Sequence, residues 1–260
     1  MGTYLDRILA AHRAAAEADT RDLDELVAAA AAEPPARGFA AALAAEAGVS
    51  VVAEVKRASP SRGQLVADLD PAAVASAYQA GGAACLSVLT DVEFFGGSPA
   101  DLVAARDATR LPLLRKDFTV GPADVCDARL MGADAVLLIA AALSPLELVE
   151  LTALADRVGL DALVEVHDEE EAEAALTAGA SLVGVNQRDL VSFEVDPSRA
   201  ERIARALPAG VTRVAESGIR GPEDLPRLAA AGYDAVLVGE SLVTARDPAA
   251  AVAALREAGR

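Results

Sequence analysis

LMGADAVLLIAAALSP, residues 130–145, contains a helix end, a buried strand and the start of the next helix. Gly132 follows the last apolar residue of a helical stretch, where a left-handed cap is expected. The run that begins at Ala135 is continuously apolar, which is typical of a parallel strand covered by helices. Ser144 and Pro145 then supply a helix cap and a first turn. The stretch therefore predicts one unit of a fold in which helices flank buried parallel strands.

The same unit recurs along the whole chain. Eight runs rich in Val, Ile and Leu alternate with helical stretches, at residues 49–56, 84–90, 111–117, 134–140, 161–167, 181–187, 212–218 and 234–240. Such a series can close into a barrel or form an open doubly wound sheet. No Gly-x-Gly-x-x-Gly loop follows the first run, and this weakens the open-sheet alternative. We therefore predict an α/β protein with a (β/α)₈ TIM-barrel fold.

Residues 1–48 precede the first strand and carry helical patterns at residues 4–18, 22–32 and 39–47. A length of 260 residues suits a single eightfold barrel. We predict one domain over residues 1–260, in which residues 1–48 form a helical extension packed on a barrel of residues 49–260.

Composition narrows the class of protein and its partners. The net charge of −17 argues against binding to nucleic acid or to anionic membranes. No apolar run approaches the roughly 20 residues of a membrane span, and no signal-peptide pattern is present. Two cysteines do not make a disulfide framework. We expect a soluble, cytoplasmic, monomeric protein that captures any anionic ligand with a local basic cluster.

The rarest polar residues fall at the ends of predicted strands. The chain has 23 basic residues but only two lysines, Lys56 and Lys116, and a single asparagine, Asn186. All three lie at carboxyl ends with inward parity, where barrel enzymes carry their catalytic groups. Three glutamates share that placement, namely Glu54, Glu165 and Glu216. Charges in apolar strands are unfavourable unless they are paired or solvated in a site, so the pattern predicts a catalytic cluster.

Structural roles remain open for several of these residues. Glu54 and Lys56 could form an ordinary ion pair at the rim, and Glu216 could brace a neighbouring cation without touching substrate. His12 is expected on the surface of the extension, and His167 in the loop after the fifth strand.

The last two strands end in a pattern that favours phosphate binding. Ser217 and Gly218 follow the seventh strand, and Gly239 and Glu240 follow the eighth. Barrels often bind phosphate there through backbone N–H groups and a short helix N-terminus. The segment at residues 58–63 adds the Ser59 hydroxyl and a cation, and we interpret it as a mobile covering loop.

Long blocks of the sequence resemble one enzyme family. AEVKRASPSRG, SVLTDVEFFGGS, LPLLRKDF, LVEVHDEEE, GVNQRDL, VAESGI and VLVGESL together resemble indole-3-glycerol-phosphate synthase. The resemblance implies a lyase of tryptophan biosynthesis that closes the ring of 1-(2-carboxyphenylamino)-1-deoxyribulose 5-phosphate with loss of CO₂ and water. It implies no cofactor and no metal. Gln187 and Arg62 depart from the commonest family pattern, which has asparagine and lysine there.

The resemblance also implies roles for particular residues. Lys116 would be the acid, Glu165 the base, and Lys56 the partner of the substrate carboxylate. The other catalytic residues would be Glu54, Asn186 and Glu216. The substrate-binding residues would be Ser59, Phe118, Arg188, Ser217, Gly218, Gly239 and Glu240.

Two other readings of the sequence compete with this one. A related barrel, phosphoribosyl-anthranilate isomerase, would need a cysteine base at a strand end, but Cys85 opens a strand and Cys126 lies in a helix. A non-catalytic paralogue that binds phosphosugars or a partner subunit would not need every expected polar position. Both alternatives are therefore disfavoured by the residues present.

Overall fold

The computed structural model describes residues 3–45, 47–59, 62–189, 191 and 193–260. Eight parallel strands form a closed barrel, in which β8 pairs with β1 through Ser50–Ala235 to Ala53–Val238. The strands are β1 Ser50–Val55, β2 Cys85–Leu89, β3 Leu113–Lys116, β4 Ala135–Ile139, β5 Asp161–Val166, β6 Leu182–Asn186, β7 Thr212–Glu216 and β8 Ala235–Val238. The predicted (β/α)₈ fold is confirmed, and each strand lies within its predicted range.

Helices alternate with the strands and cover the outside of the barrel. They are α4 Pro71–Gly81, α5 Pro99–Ala108, α6 Pro122–Leu130, α7 Pro145–Arg157, α8 Glu169–Thr177, α9 Pro197–Ala204, α10 Leu225–Ala230, α11 Glu240–Val243 and α12 Pro248–Ala258. Proline opens six of them, including α7, whose start at Pro145 the sequence predicts. A 3₁₀ turn at Pro222–Asp224 comes before α10. The glycine that precedes β4, Gly132, has φ +89°, which confirms the predicted left-handed cap.

Strand parity divides the core into two parts. Residues that face outward, such as Val51, Val136 and Val183, pack under the helices. Residues that face inward, such as Leu114 and Leu163, fill the lower half of the barrel. The upper half, towards the carboxyl ends, carries polar residues on the same inward parity. The fold therefore separates a stabilising floor from a polar mouth.

The extension contacts both ends of the barrel. Its helices are α1 Tyr4–Ala18, α2 Leu23–Ala32 and α3 Phe39–Ala44. α3 closes the floor, because Phe39 and Leu43 are buried among the inward-facing residues. The backbone N–H of Ala40 donates to the carboxylate of Asp161 at the start of β5 over 2.9 Å. α2 packs beside α6, and α1 lies across the mouth.

α3 is shorter than the sequence predicts. It ends at Ala44 with Ala45 as its cap, whereas the helical pattern extends to residue 47. Residue 46 lies outside the described part. Gly48, with φ +90°, turns the chain into β1. Within the ranges described above, no helix is both long and apolar enough to cross a membrane.

Candidate active site

A cavity of about 760 Å³ opens at the carboxyl ends of the strands. This volume is typical of a site for a small organic ligand. The cavity brings together all thirteen residues that the sequence assigns to the site. These are Glu54, Lys56, Ser59, Lys116, Phe118, Glu165, Asn186, Arg188, Glu216, Ser217, Gly218, Gly239 and Glu240.

Lys116 lies at the centre of the polar cluster. Its Nζ is 2.8 Å from Oε2 of Glu165 and 3.2 Å from Oε2 of Glu216. Burial acts to lower the pKa of Lys116, but the charges of the surrounding glutamates outweigh burial and raise it above the usual value. The amine is therefore a protonated, half-buried cation held between two carboxyl groups.

The two carboxyl groups that share Lys116 differ in protonation. Burial acts to raise the pKa of Glu165, but Lys116, His167 and a hydrogen bond from Asn186 together lower it to about 2. Burial raises the pKa of Glu216 to about 8 against the opposing effect of Lys116, and the nearby negative charges of Glu165 and Glu54 act in the same direction as burial. At neutral pH Glu165 is thus ionised and Glu216 is largely protonated. The positive charge of Lys116 is therefore balanced by the negative charge of Glu165.

A second ion pair lies on β1. Nζ of Lys56 is 2.5 Å from Oε2 of Glu54, and the Glu54 side chain is 5% exposed. Gly239 makes room for this pair, since a Cβ on Gly239 would lie 2.2 Å from Oε2 of Glu54. Gly184 does the same on β6, where a Cβ would lie 2.1 Å from Oε1 of Glu216. Glycine at both positions is a steric requirement of the carboxylate cluster.

Asn186 connects Glu165 to the loop that follows β6. Its Nδ2 donates to Oε1 of Glu165 over 3.1 Å, and its Oδ1 accepts from the backbone N–H of Arg188 over 3.0 Å. The Arg188 guanidinium donates to the carbonyl of Phe193 over 2.9 Å. Arg188 is thereby held within the loop that follows β6, and its side chain lines the cavity.

The rim near β7 and β8 has the geometry of an anion site. Ser217 and Gly218 have φ of +60° and +72°, and a positive φ is strained for serine. Gly239 precedes α11, whose first N–H groups have no partner within the helix. The hydroxyl of Ser59 is buried and lacks a hydrogen-bond partner among the described residues. These donors surround one side of the cavity.

The predicted covering loop after β1 contains a short hairpin, in which Ala58–Ser59 pairs with Gly63–Gln64. The guanidinium of Arg62 lies 3.1 Å from the carboxylate of Glu240. This contact connects the hairpin to the rim beyond β8. Pro60 and Ser61 lie outside the described residues, so the predicted mobility of the loop stays a prediction.

Helix α1 covers one side of the site, a contact that the sequence pattern did not indicate. Tyr4, Leu5 and Ile8 of α1 line the cavity. The ring of Tyr4 makes edge contacts with Phe94 at 5.9 Å and Phe193 at 5.7 Å. A helical pattern alone does not show where an extension docks, which explains the omission.

The prediction that His12 is a surface residue was wrong. Its side chain is 20% exposed, and Nε2 lies 2.9 Å from Oδ2 of Asp91, just beyond β2. The acids immediately after β2 and β3, Asp91 and Asp117, are the sequence signal that could have indicated a basic partner. His167 does follow β5 as expected, and its side chain is 11% exposed.

His12, Asp91 and Asp117 also form the one potential metal-ligand group within the described ranges, with donor atoms within 4.8 Å of one another. Their oxygens already accept protein hydrogen bonds. Oδ1 of Asp91 caps the backbone N–H of Phe94 over 2.6 Å, and Oδ2 of Asp117 accepts from Arg115 over 3.0 Å. We interpret the group as a contact that holds α1 on the barrel.

The cysteines do not support the isomerase alternative. Cys85 and Cys126 are both buried, and neither lines the cavity. Sγ of Cys85 faces the carbonyl of Phe39 at the floor, and burial raises the pKa of its thiol. A cysteine so placed cannot act as a base at the mouth.

A largely enclosed lysine between two carboxyl groups, at the mouth of a (β/α)₈ barrel, is the arrangement of an acid–base enzyme of the barrel class. The sequence model of the family "Indole-3-glycerol phosphate synthase" matches residues 5–255. The chain belongs to this family.

Curated relatives agree over nearly the whole length. The chain is 54% identical to indole-3-glycerol phosphate synthase of Streptomyces griseus, over 99% of this chain and 96% of the relative. It is 53% identical to the synthase of Mycobacteroides abscessus, over 99% and 95%. Among solved structures, thiamine phosphate pyrophosphorylase from Pyrococcus furiosus aligns with a TM-score of 0.61 at 19% identity, over 81% of this chain and 94% of that one. The last similarity concerns the fold alone.

Proposed function

We propose that this chain converts 1-(2-carboxyphenylamino)-1-deoxyribulose 5-phosphate into indole-3-glycerol phosphate, as a carbon–carbon lyase of the carboxy-lyase type in tryptophan biosynthesis. The observation that carries the proposal is the placement of Lys116 between Glu165 and Glu216 at the centre of the cavity. Family membership supplies the substrate, and this cluster supplies the acid and the base that the reaction needs.

Ring closure joins the aromatic carbon that bears the carboxylate to the keto carbon of the sugar chain. The keto oxygen gains negative charge as the bond forms, and Lys116 gives it a proton. Lys116 suits this role because its ammonium is held in place by two carboxyl groups, so little reorganisation is needed. The C–C bond to the carboxylate then breaks, CO₂ leaves, and its electron pair restores the aromatic ring.

Dehydration completes the product. The hydroxyl formed from the keto oxygen leaves as water after it gains a proton, and a base removes a proton from the carbon next to nitrogen. Glu165 is the base in this proposal, since it is ionised and lines the cavity beside Asn186. Lys56, oriented by Glu54, holds the substrate carboxylate and supplies the proton to the leaving hydroxyl.

The phosphate and the aromatic ring bind at opposite sides of the mouth. Backbone N–H groups of Ser217, Gly218, Gly239 and Glu240, with the Ser59 hydroxyl, hold the phosphate. Phe118 packs against the aromatic ring, and its own ring lies 6.1 Å from that of Phe95. Arg188 and Asn186 contact the hydroxyls between them, while Glu216 completes the network through Lys116.

We further propose that the enzyme works as a cytoplasmic monomer on a phosphorylated small molecule, and that it binds neither nucleic acid nor membrane. The net charge of −17 and the two free, buried cysteines support this setting. Gel filtration with light scattering tests the oligomeric state.

Product fluorescence tests the proposed activity. The product contains an indole and this chain contains no Trp, so turnover should appear as new indole emission over a low background. Lys116→Met should lower kcat by about 10²–10⁴-fold, the usual contribution of a general acid, while the substrate still binds. Lack of emission with the wild-type chain would refute the function, and near-normal turnover by the variant would remove Lys116 from the mechanism.

A further inference from the structure

His167 lies behind the proposed base and is held in one orientation. Oε2 of Glu171, in the first turn of α8, accepts from the backbone N–H of His167 over 2.7 Å and from its Nδ1 over 3.0 Å. A carboxylate only accepts hydrogen bonds, so Nδ1 carries the hydrogen. The other ring nitrogen, Nε2, therefore points away from Glu171.

Nε2 of His167 faces the catalytic cluster. It lies 3.5 Å from Oε1 of Glu165, is buried, and has no hydrogen-bond partner in the described part of the chain. With Nδ1 protonated, a neutral ring would present a lone pair to a carboxylate oxygen, which is repulsive. A proton on Nε2 turns the same contact into a charge-assisted interaction. The geometry thus favours an imidazolium between two carboxylates.

We propose that His167 is a positioning residue, fixed by Glu171, whose protonated Nε2 holds Oε1 of Glu165 in the orientation that the reaction needs. This inference rests on the proposed function, since it acts through Glu165. His167 does not line the cavity among the described residues, so it acts on the base and not on the substrate.

The charges around His167 support the protonated state. Burial acts to lower the pKa of His167, and Arg199 on α9 acts in the same direction. The hydrogen bond to Glu171 and the charge of Glu165 outweigh both and raise the pKa above the usual value. Proton loss from His167 as pH rises would then free Oε1 of Glu165 from this contact. The Glu165 carboxylate would keep its hydrogen bonds from Asn186 and Lys116.

The decisive experiment compares the pH dependence of kcat in the wild type and three variants. In the wild type, kcat should fall as pH rises through the titration of His167, below the pH at which lysine titrates. His167→Gln should lower kcat about tenfold near neutrality, as expected for loss of one charge-assisted contact, with KM changed less than about twofold. The dependence of kcat on pH in this variant should lack the fall that the titration of His167 causes, which is called the limb below.

Glu171→Gln and Glu169→Gln form a matched pair on α8. Both remove one negative charge from the first turn, but Glu169 pairs with Arg202 on the surface over 2.8 Å. Glu171→Gln should move the limb to lower pH, because the imidazolium loses one of its two carboxylates. Glu169→Gln should leave the limb in place. A limb that persists in His167→Gln, or that fails to move in Glu171→Gln, would overturn the proposal.

Proton NMR of the imidazole rings tests the contact without turnover. The chain has two histidines, so the spectrum of His167→Gln identifies the signal of His167. Its midpoint should coincide with the kinetic limb in the wild type and should fall in Glu165→Gln. An unchanged titration midpoint of His167 in Glu165→Gln would refute the contact, even if the wild-type enzyme is active. Absence of turnover with a normal midpoint shift would instead count against the proposed function alone.

Discussion

Single residues at the mouth show how neighbouring groups give the same type of buried side chain different protonation states. Glu165 and Glu216 both contact Lys116, yet one is ionised and the other protonated at neutral pH. Because Asn186 and His167 face Glu165, that carboxylate has further donors, whereas Oε1 of Glu216 has no partner within the described ranges. The difference between acid and base roles therefore lies in the neighbours and not in the residue type.

Glu216 should make stability fall with rising pH. Its pKa is raised to about 8 in the folded chain against an ordinary value of 4.5, so folding holds a proton that the unfolded chain releases. The free energy of unfolding should therefore decrease, through this group, as pH rises from about 4.5 to about 8. Glu216→Gln mimics the protonated form and should remove this dependence.

Denaturant titration of both proteins across pH 5 to 9 measures the effect. The variant should gain stability relative to the wild type as pH increases through this range. A difference between the two proteins that stays constant with pH would mean that Glu216 is ionised in the folded state.

At the scale of elements, the sequence predicted the barrel units and the three helices of the extension well, but not where those helices dock on the barrel. Side chains alternate in a strand and the barrel has one inside, so residues of inward parity near the carboxyl ends were expected to meet in one cavity. The structure confirms this for one polar residue on each of five strands: Glu54, Lys116, Glu165, Asn186 and Glu216. The positions of α1 and α3 could not be predicted, since their contacts involve residues distant in sequence, such as His12 with Asp91. The protonation of Glu216 depends on burial and three neighbouring charges, which a sequence pattern does not display.

The contact between His12 and Asp91 should stabilise α1 on the mouth. The hydrogen bond to Asp91 raises the pKa of His12 above 6.5, so the charged contact is fully present below that pH and weakens as pH rises through the higher, folded-state pKa. His12→Gln should speed amide exchange in residues 4–18 roughly fivefold at pH 6, equivalent to about 1 kcal/mol for a partly exposed charged hydrogen bond.

The ratio of exchange rates at a single pH cancels the intrinsic pH effect. This ratio between variant and wild type should decrease towards pH 9. Arg13 remains paired with Glu147 in the variant and keeps the helix docked, so global unfolding should not explain the result. Equal exchange in the two proteins at pH 6 would show that the contact does not restrain α1.

For the whole molecule, a net charge of −17 should repel an anionic substrate, but the strength of this repulsion at the mouth depends on how far away the charges lie. The Debye length is about 10 Å at 0.1 M salt, so charges on the far surface are already screened at the mouth. Lys56, Arg62, Lys116 and Arg188 lie at the cavity itself. Local contacts should therefore dominate capture above this ionic strength.

We expect kcat/KM to decrease as NaCl rises from about 0.1 to 0.5 M, because the remaining effect of salt is to weaken the contacts at the mouth. Stopped-flow or steady-state fluorescence at constant pH measures it, with a neutral crowding agent as the viscosity control. An increase in kcat/KM over this range would mean that repulsion by the whole molecule, and not local attraction, limits capture.

The docking of the extension at both ends of the barrel also has a consequence for biosynthesis. α1 contacts Phe193, which follows β6, and α3 contacts Asp161 at the start of β5. The extension thus leaves the ribosome long before its partners exist, by on the order of ten seconds at roughly 5–20 residues per second. During that interval the apolar faces of α1 and α3 are exposed to the surroundings of the nascent chain. The extension, which is made before the strands it contacts, is therefore among the last parts of this chain to reach its native place.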